Sequence, residues 1–142
     1  MDGTLSFVTC TLQVSIMKKA NRATKPELSR RSPCAVANTL DRIGDRWSLL
    51  LVRDMLAGKT TYGQFLESPE GIPTNILADR LKRLEQFGIV TRSAYQERPV
   101  RYAYALTDSG RQLGRVLRAV ADWGLENIAG TKKELVPGSF VR

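Results

Sequence analysis

Leu77, Leu81 and Leu84 recur at i, i+4 and i+7 within the stretch 71–92, GIPTNILADRLKRLEQFGIVTR. That spacing draws one apolar stripe along a helix of period 3.6. The opposite face of the same helix carries Asn75, Ala78, Asp79, Lys82 and Gln86, with Arg83 at its edge. These side chains are small, amide-bearing or charged, the types that meet base edges and phosphates. Thr74 is a candidate N-cap, and Gly88 stands where a C′ glycine would stop the helix. Ile89-Val90 then begins a strand. Any amphipathic helix would show this pattern, so the neighbouring segments decide what the stretch means.

The chain has 142 residues, enough for one domain with a real core. Its net charge of +8 suits a polyanionic partner, although charge of this size concerns partners and solubility rather than fold. Histidine is absent, which removes His-based acid–base chemistry, Ser-His-Asp and Cys-His pairs and most zinc sites. Gly58, Gly63 and Gly71 fit neither a P-loop nor a dinucleotide fingerprint. An enzyme is therefore not expected, and neither is a metal or an organic cofactor. Two cysteines, Cys10 and Cys34, are too few for a disulfide framework. No apolar run approaches the ~18 residues of a membrane span. Asp2 occupies the place of a positive signal-peptide n-region, and Lys18-Lys19 follow the apolar part. A cytoplasmic protein without a membrane partner is the expectation.

Residues 1–32 form an N-terminal extension. Thr4 to Ile16 is mildly apolar and β-prone. Met17 to Ser32 sets Lys18, Lys19, Arg22, Lys25, Arg30 and Arg31 against Glu27 alone, as in a flexible tail or a basic arm that tracks phosphates. Met17 is also a candidate native start. The domain proper is expected over 33–129. Pro33 opens a helix to about Ile43 with Val36, Leu40 and Ile43 as its buried stripe. Asp45 caps a second helix, Arg46 to Ala57, that is apolar nearly all round and hence central. Thr60 or Thr61 caps a short third helix with Tyr62, Phe65 and Leu66 inward. The turn Ser68-Pro69-Glu70-Gly71 leads into the helix at 74–87. A short helix, a tight turn and an amphipathic helix with a polar outer face are the ingredients of helix-turn-helix.

Two strands follow. Val90 to Gln96 is the first; Arg101 to Leu106 alternates, with Tyr102, Tyr104 and Leu106 on one side. Such a hairpin directly after the amphipathic helix is a wing, and Arg92, Arg98 and Arg101 place three guanidiniums on it for phosphate or the minor groove. Thr107 caps a final helix with Asp108 in its first turn. Leu113, Val116, Leu117, Val120 and Trp123, continuing to Ile128, make a stripe longer than the rest of the domain can cover, which suggests pairing with a second copy. Residues 130–142 read as a tail. The fold class expected is mainly α with a small β-hairpin wing, a dimeric winged helix-turn-helix.

Several segments resemble HxlR-type winged-helix regulators of the MarR-like superfamily. They are Cys34-Ala-Val, Leu40-Asp-Arg-Ile-Gly44-Asp-Arg-Trp47, Tyr62-Gly-Gln-Phe65-Leu and Gly71-Ile72. Leu77-Ala-Asp-Arg80-Leu81-Lys-Arg-Leu84-Glu85, Gly88-Ile-Val and Tyr104-Ala-Leu-Thr107-Asp-Ser-Gly110 complete the set. The resemblance implies a small bacterial transcription factor, a homodimer through its N- and C-terminal helices, on a pseudo-palindromic operator in double-stranded DNA. Promoter occlusion by a repressor is the mode it suggests. By that likeness Thr74 and Asn75 lead the recognition helix, and Arg98 and Arg101 belong to the wing. Asp79, Lys82, Arg83, and Thr61 with Tyr62 at the start of the preceding helix, complete the expected contact surface. Arg80 fits the family pattern but borders the buried stripe, so it holds structure or phosphate rather than reading bases. Many relatives carry Lys or Arg where Asn75 stands; Asn there suits adenine N6/N7. Cys34 sits where several members place a redox-sensitive cysteine, although they often have Cys-Pro and this chain has Pro33-Cys34-Ala35. A thiol sensor and an inert packed thiol are both open readings. The alternative to DNA binding is a winged helix that contacts another protein.

Overall fold

The computed structural model describes residues 31–132. The expected basic extension, Cys10 and most of the C-terminal tail lie outside them. The chain divides into units 1–33 and 34–142, and the architecture below is that of the second. Its elements run α1 (Ala35–Ile43), α2 (Ser48–Leu56), α3 (Tyr62–Leu66), α4 (Thr74–Gln86), β1 (Val90–Glu97), β2 (Val100–Leu106) and α5 (Asp108–Asn127). This is the winged helix-turn-helix architecture that the sequence implies, with α3 and α4 as the paired helices.

The core gathers Ile43, Leu51, Val52, Met55, Phe65, Ile72, Leu77, Leu81, Leu84, Ile89, Val90 and Leu117. Phe65, Val52, Leu77 and Leu84 are wholly buried, each worth about 1.5–3 kcal/mol relative to exposure. Glycine is required at two turns around α4, where Gly71 and Gly88 take φ of 64° and 70°, a region L-residues avoid. Pro73, not Thr74, is the N-cap residue, and Thr74 is the first residue of the helix. Proline offers no side-chain acceptor, and no cap hydrogen bond forms there.

The hairpin is antiparallel, with Val90 opposite Leu106 and Glu97 opposite Val100. Its strands are each one residue longer at the tip than expected, leaving Arg98-Pro99 as the turn. On its outer edge β2 meets the approach to α3: Thr61 bridges Ala103, and Tyr104 N–H donates to the Thr60 carbonyl at 2.7 Å. Thr107 joins the other end. Its side chain accepts from Gly110 N–H at 3.1 Å and donates to the Gly88 carbonyl at 2.6 Å. The cap of α5 is thus also a clasp on the exit of α4.

Three expectations about apolar faces are corrected. Val36 and Leu40, expected to be buried, are 67% and 54% exposed, and only Ile43 of that stripe enters the core. Leu66, expected inward, lies at the surface because α3 turns only Phe65 fully into the core. Leu113 and Leu117, expected at a dimer contact, pack into the chain's own core. The stripe on α5 is wide enough to split into two faces. One, with Gly110, Gly114 and Leu117, lies inward; the other leaves Val116, Val120, Trp123 and Ile128 outward.

The two faces of α5 make opposite demands on glycine. A Cβ at Gly110 would collide with the Ile89 carbonyl, whereas one at Gly124 would meet nothing within 4 Å. Gly110→Ala is therefore expected to destabilise by about 1–3 kcal/mol through overpacking. Gly124→Ala should stabilise by about 0.5–1 kcal/mol through helix propensity. Urea unfolding of both variants checks the pair.

Candidate nucleic-acid interface

With Leu77, Leu81 and Leu84 inward, α4 can only turn its other face out. Thr74, Asn75, Ala78, Asp79, Lys82 and Gln86 are all exposed, and Arg83 is half-buried. This is the face read from the helical wheel. Arg80 instead lies between faces, with its side chain 18% exposed. Its Nε stands 3.4 Å from an Asp45 oxygen, an ion pair without hydrogen-bond geometry. Its Nη1 stands 3.8 Å from an Asp79 oxygen.

Trp47, not Asp45, is the N-cap residue of α2, which starts at Ser48 rather than Arg46; Asp45 serves that start from the turn before it. One carboxylate oxygen accepts from the N–H groups of Trp47 and Ser48 at 2.9 and 3.0 Å, and the other accepts from the Ser48 hydroxyl. Burial pushes this carboxyl up, but the Ser48 and backbone hydrogen bonds and the Arg80 charge together hold it below its ordinary value. One carboxylate therefore starts α2 and takes a guanidinium from α4.

A second polar cluster secures the turn before α4. Asp54, on α2, is buried; Arg53 and Lys59 approach it at 2.8 and 3.5 Å, and the Ser68 hydroxyl donates to it. Arg53 also forks onto Glu70 at 2.6 and 2.9 Å. The Arg53 hydrogen bonds hold the Glu70 carboxyl below its ordinary value, and the Glu70 bond raises the Arg53 guanidinium further. The side chains Ser68 and Glu70 belong to the turn, so the entry angle of α4 is fixed from α2. Tyr62 adds a third tie by donating its hydroxyl to the Thr74 carbonyl at 2.6 Å.

The wing arginines fall into two groups. Arg92 lies over the Tyr102 ring at 4.7 Å and pairs with Glu85 of α4 at 3.2 Å. It fastens the wing to the helix. Arg98 and Arg101 stand exposed at the tip and on β2. Thr61 forms a capping box with Gln64, whose backbone N–H it accepts at 3.4 Å while the Gln64 side chain accepts from Thr61 N–H at 3.1 Å. Tyr62 joins the start of α3 to the start of α4, and Thr61 and Tyr62 share a cleft with Arg101 of the wing. Sequence reasoning missed the partners Asp54, Glu85, Glu70 and Tyr102, since no local spacing pattern marks Asp54 with Ser68, Glu70 with Arg53, or Arg92 with Glu85 and Tyr102. Only Asp45 carried a local signal, its place just before α2.

Cys34 is exposed at the N-cap position of α1, where its carbonyl accepts from both Asn38 nitrogens at 3.1 and 2.8 Å. Among the described residues no cluster of His, Cys, Asp or Glu is placed to hold a metal, and no helix is long and apolar enough to cross a membrane.

Comparison with known proteins gives a consistent result. The sequence model described as HxlR-like helix-turn-helix matches residues 42–132. The chain is 36% identical over 94 residues to the HTH-type transcriptional regulator sll1512 of a Synechocystis species, covering 63% of this chain and 70% of that one. In three dimensions it is similar to the redox regulator HypR in its oxidised form, with a TM-score of 0.60 at 35% identity, over 66% of this chain and 97% of that one. It is also similar to the reduced form of the transcriptional regulator YodB from Bacillus subtilis. There the TM-score is 0.58 at 28% identity, over 71% of this chain and all of that one.

Asp45 supplies a test of the clasp on α4. Its depressed carboxyl contributes stability that is present above the ordinary value of 3.8 and is lost as pH falls through the lower folded value. Asp45→Asn keeps an acceptor for the Trp47 and Ser48 N–H groups but removes the nearer of Arg80's two carboxylate partners, a loss of about 1–3 kcal/mol at neutral pH. The gap between wild type and variant should hold from neutrality to about pH 4 and shrink below it. Thermal melts across that range measure it.

Proposed function

Because the chain belongs to the HxlR-like helix-turn-helix family of transcriptional regulators, we propose that it binds a specific operator as a homodimer and represses by occluding a promoter. The observation that carries this reading is the outward face of α4, a row of polar side chains on a helix tied to the body at both ends. Each subunit lays α4 in a major groove, with Thr74, Asn75 and Asp79 at base edges and Lys82 and Arg83 toward phosphate. Arg98 and Arg101 grip the flanking backbone or minor groove, and Thr61 and Tyr62 approach the backbone from the start of α3. Arg80 and Arg92 support this surface from behind through Asp45 and Glu85.

The second copy sits on the apolar surface left over by the core. Val116, Val120 and Trp123 on α5 supply it, with Trp123 62% exposed and Val120 53% exposed. Val36 and Leu40 on α1 add a further exposed apolar pair. Two-fold symmetry then sets the α4 helices about 34 Å apart, one turn of the duplex, or a multiple of it. Thiol gating at Cys34 is a refinement supported by its exposure and by the likeness to the redox regulator HypR. Unchanged operator affinity of Cys34→Ser under both oxidant and reductant would remove it. A protein-binding winged helix is the competing reading; failure to bind operator-length duplexes at low salt would favour it.

Selection from random DNA supplies the operator for the decisive comparison. Asn75→Ala should weaken operator binding by about 1–3 kcal/mol while leaving random DNA almost untouched. Arg98→Ala should weaken both and flatten the salt slope by about one per subunit. Equal losses on operator and random duplex for Asn75→Ala would remove the recognition role from that residue.

A further inference from the structure

The acidic side chains that brace α4 are matched to arginines. Asp45 pairs with Arg80, Asp54 and Glu70 pair with Arg53, and Glu85 on α4 itself pairs with Arg92 at 3.2 Å. The other acid of α4 is Asp79, and it is placed differently. Its side chain is 55% exposed, and Arg80 Nη1 stands 3.8 Å away, beyond hydrogen-bond reach. Among the described residues neither Lys82 nor Arg83, at i+3 and i+4, pairs with it. Asp79 thus presents a weakly paired carboxylate on the outward face, one turn after the exposed Asn75.

A carboxylate in the middle of a surface that meets phosphate is costly. Lys82, Arg83 and the net charge of +8 draw the duplex in, and Asp79 opposes them. That cost is offset where the carboxylate meets a donor, and in the major groove the donors are the N4 amine of cytosine and the N6 amine of adenine. Guanine and thymine present acceptors there, which repel it. Cytosine fits better than adenine, because adenine sets its N7 acceptor beside the amine. One helical turn separates Asn75 from Asp79 by about 6 Å along the axis, less than two base steps of about 3.4 Å. We propose that Asp79 sets specificity at one base pair of each half-site. Its carboxylate accepts from a cytosine N4 amine within two base pairs of the base that Asn75 reads, and it disfavours the other three bases there. This role rests on the DNA-binding reading, with α4 in the major groove.

Parallel selections from random DNA, with the full chain and with Asp79→Asn, supply the test. Wild type should enrich sites with a cytosine fixed in each half, and the variant should lose that cytosine while keeping the rest of the site. Replacing the cytosine by 2-pyrimidinone, which lacks the amine, should weaken wild-type binding about tenfold and the variant hardly at all. On random duplex Asp79→Asn should bind about threefold tighter than wild type. Glu126→Gln, which makes the same change of net charge at an exposed position on α5, should not. The Asp79→Asn chain should melt with wild type, since the pair it loses is long and exposed. An unchanged consensus for the variant, loss of every position together, or equal penalties from 2-pyrimidinone in both proteins would overturn the role of Asp79. Equal gains on random duplex for the two variants would overturn the repulsion. A wild type that enriches a site without a fixed cytosine overturns this role alone. A wild type that enriches no sequence overturns the operator reading and this role with it.

Discussion

The burial of Leu77, Leu81 and Leu84 is the constraint from which the rest of the structure follows. All three are almost wholly removed from water, which fixes the rotation of α4 about its own axis. A helix held by one stripe must present the opposite one, and here that is the polar row from Asn75 to Gln86. Burial does not fix the tilt or sliding of the helix, because apolar contact is non-directional. Those remaining freedoms are removed by polar ties. Tyr62 holds the first carbonyl of α4, Arg80 meets Asp45 near its middle, and Thr107 clasps the Gly88 carbonyl at its exit.

Two of these ties share a logic with the bridge at Thr61: each uses a residue already employed in local structure. Asp45 accepts from Trp47 and Ser48 at the start of α2 and receives Arg80; Thr107 caps α5 and holds Gly88; Thr61 caps α3 and lies in the bridge to Ala103. Caps stand at element ends, where the chain turns and neighbouring elements meet. A carboxylate there has spare lone pairs after its own helix is served, and a hydroxyl that accepts from its helix still has its O–H to donate. Arg92 does the same for the wing, stacking on Tyr102 within the hairpin while pairing with Glu85 across to α4. The outward surface is thus positioned by a second layer of residues that need not touch DNA at all.

Local signals in the sequence were enough for the elements and their order. The leucine period located α4, alternation located β2, Gly88 marked a stop, and Thr107 marked a start. Each depends only on residues within a turn or two. Periodicity reveals that a face is apolar but not what covers it, and there the reading failed. Val36 and Leu40 were assigned to the core and lie outside it, while Leu113 and Leu117 were assigned to a partner and lie inside. The missing information was tertiary: Gly110 lets α5 approach Ile89 closely, which decides which half of its stripe turns inward. Charged partners were illegible for the same reason, since no local pattern joins Asp54 to Ser68 or Glu85 to Arg92.

The most direct test of the central claim asks which helix face touches DNA. A photo-crosslinking amino acid can be placed singly at Ala78, exposed on α4, or at Ala119, exposed on α5, in protein bound to a selected operator. Crosslinks to the duplex from position 78 and none from position 119 are expected. A duplex crosslinked from 119, with 78 silent, would contradict the assignment of α4 as the reading element.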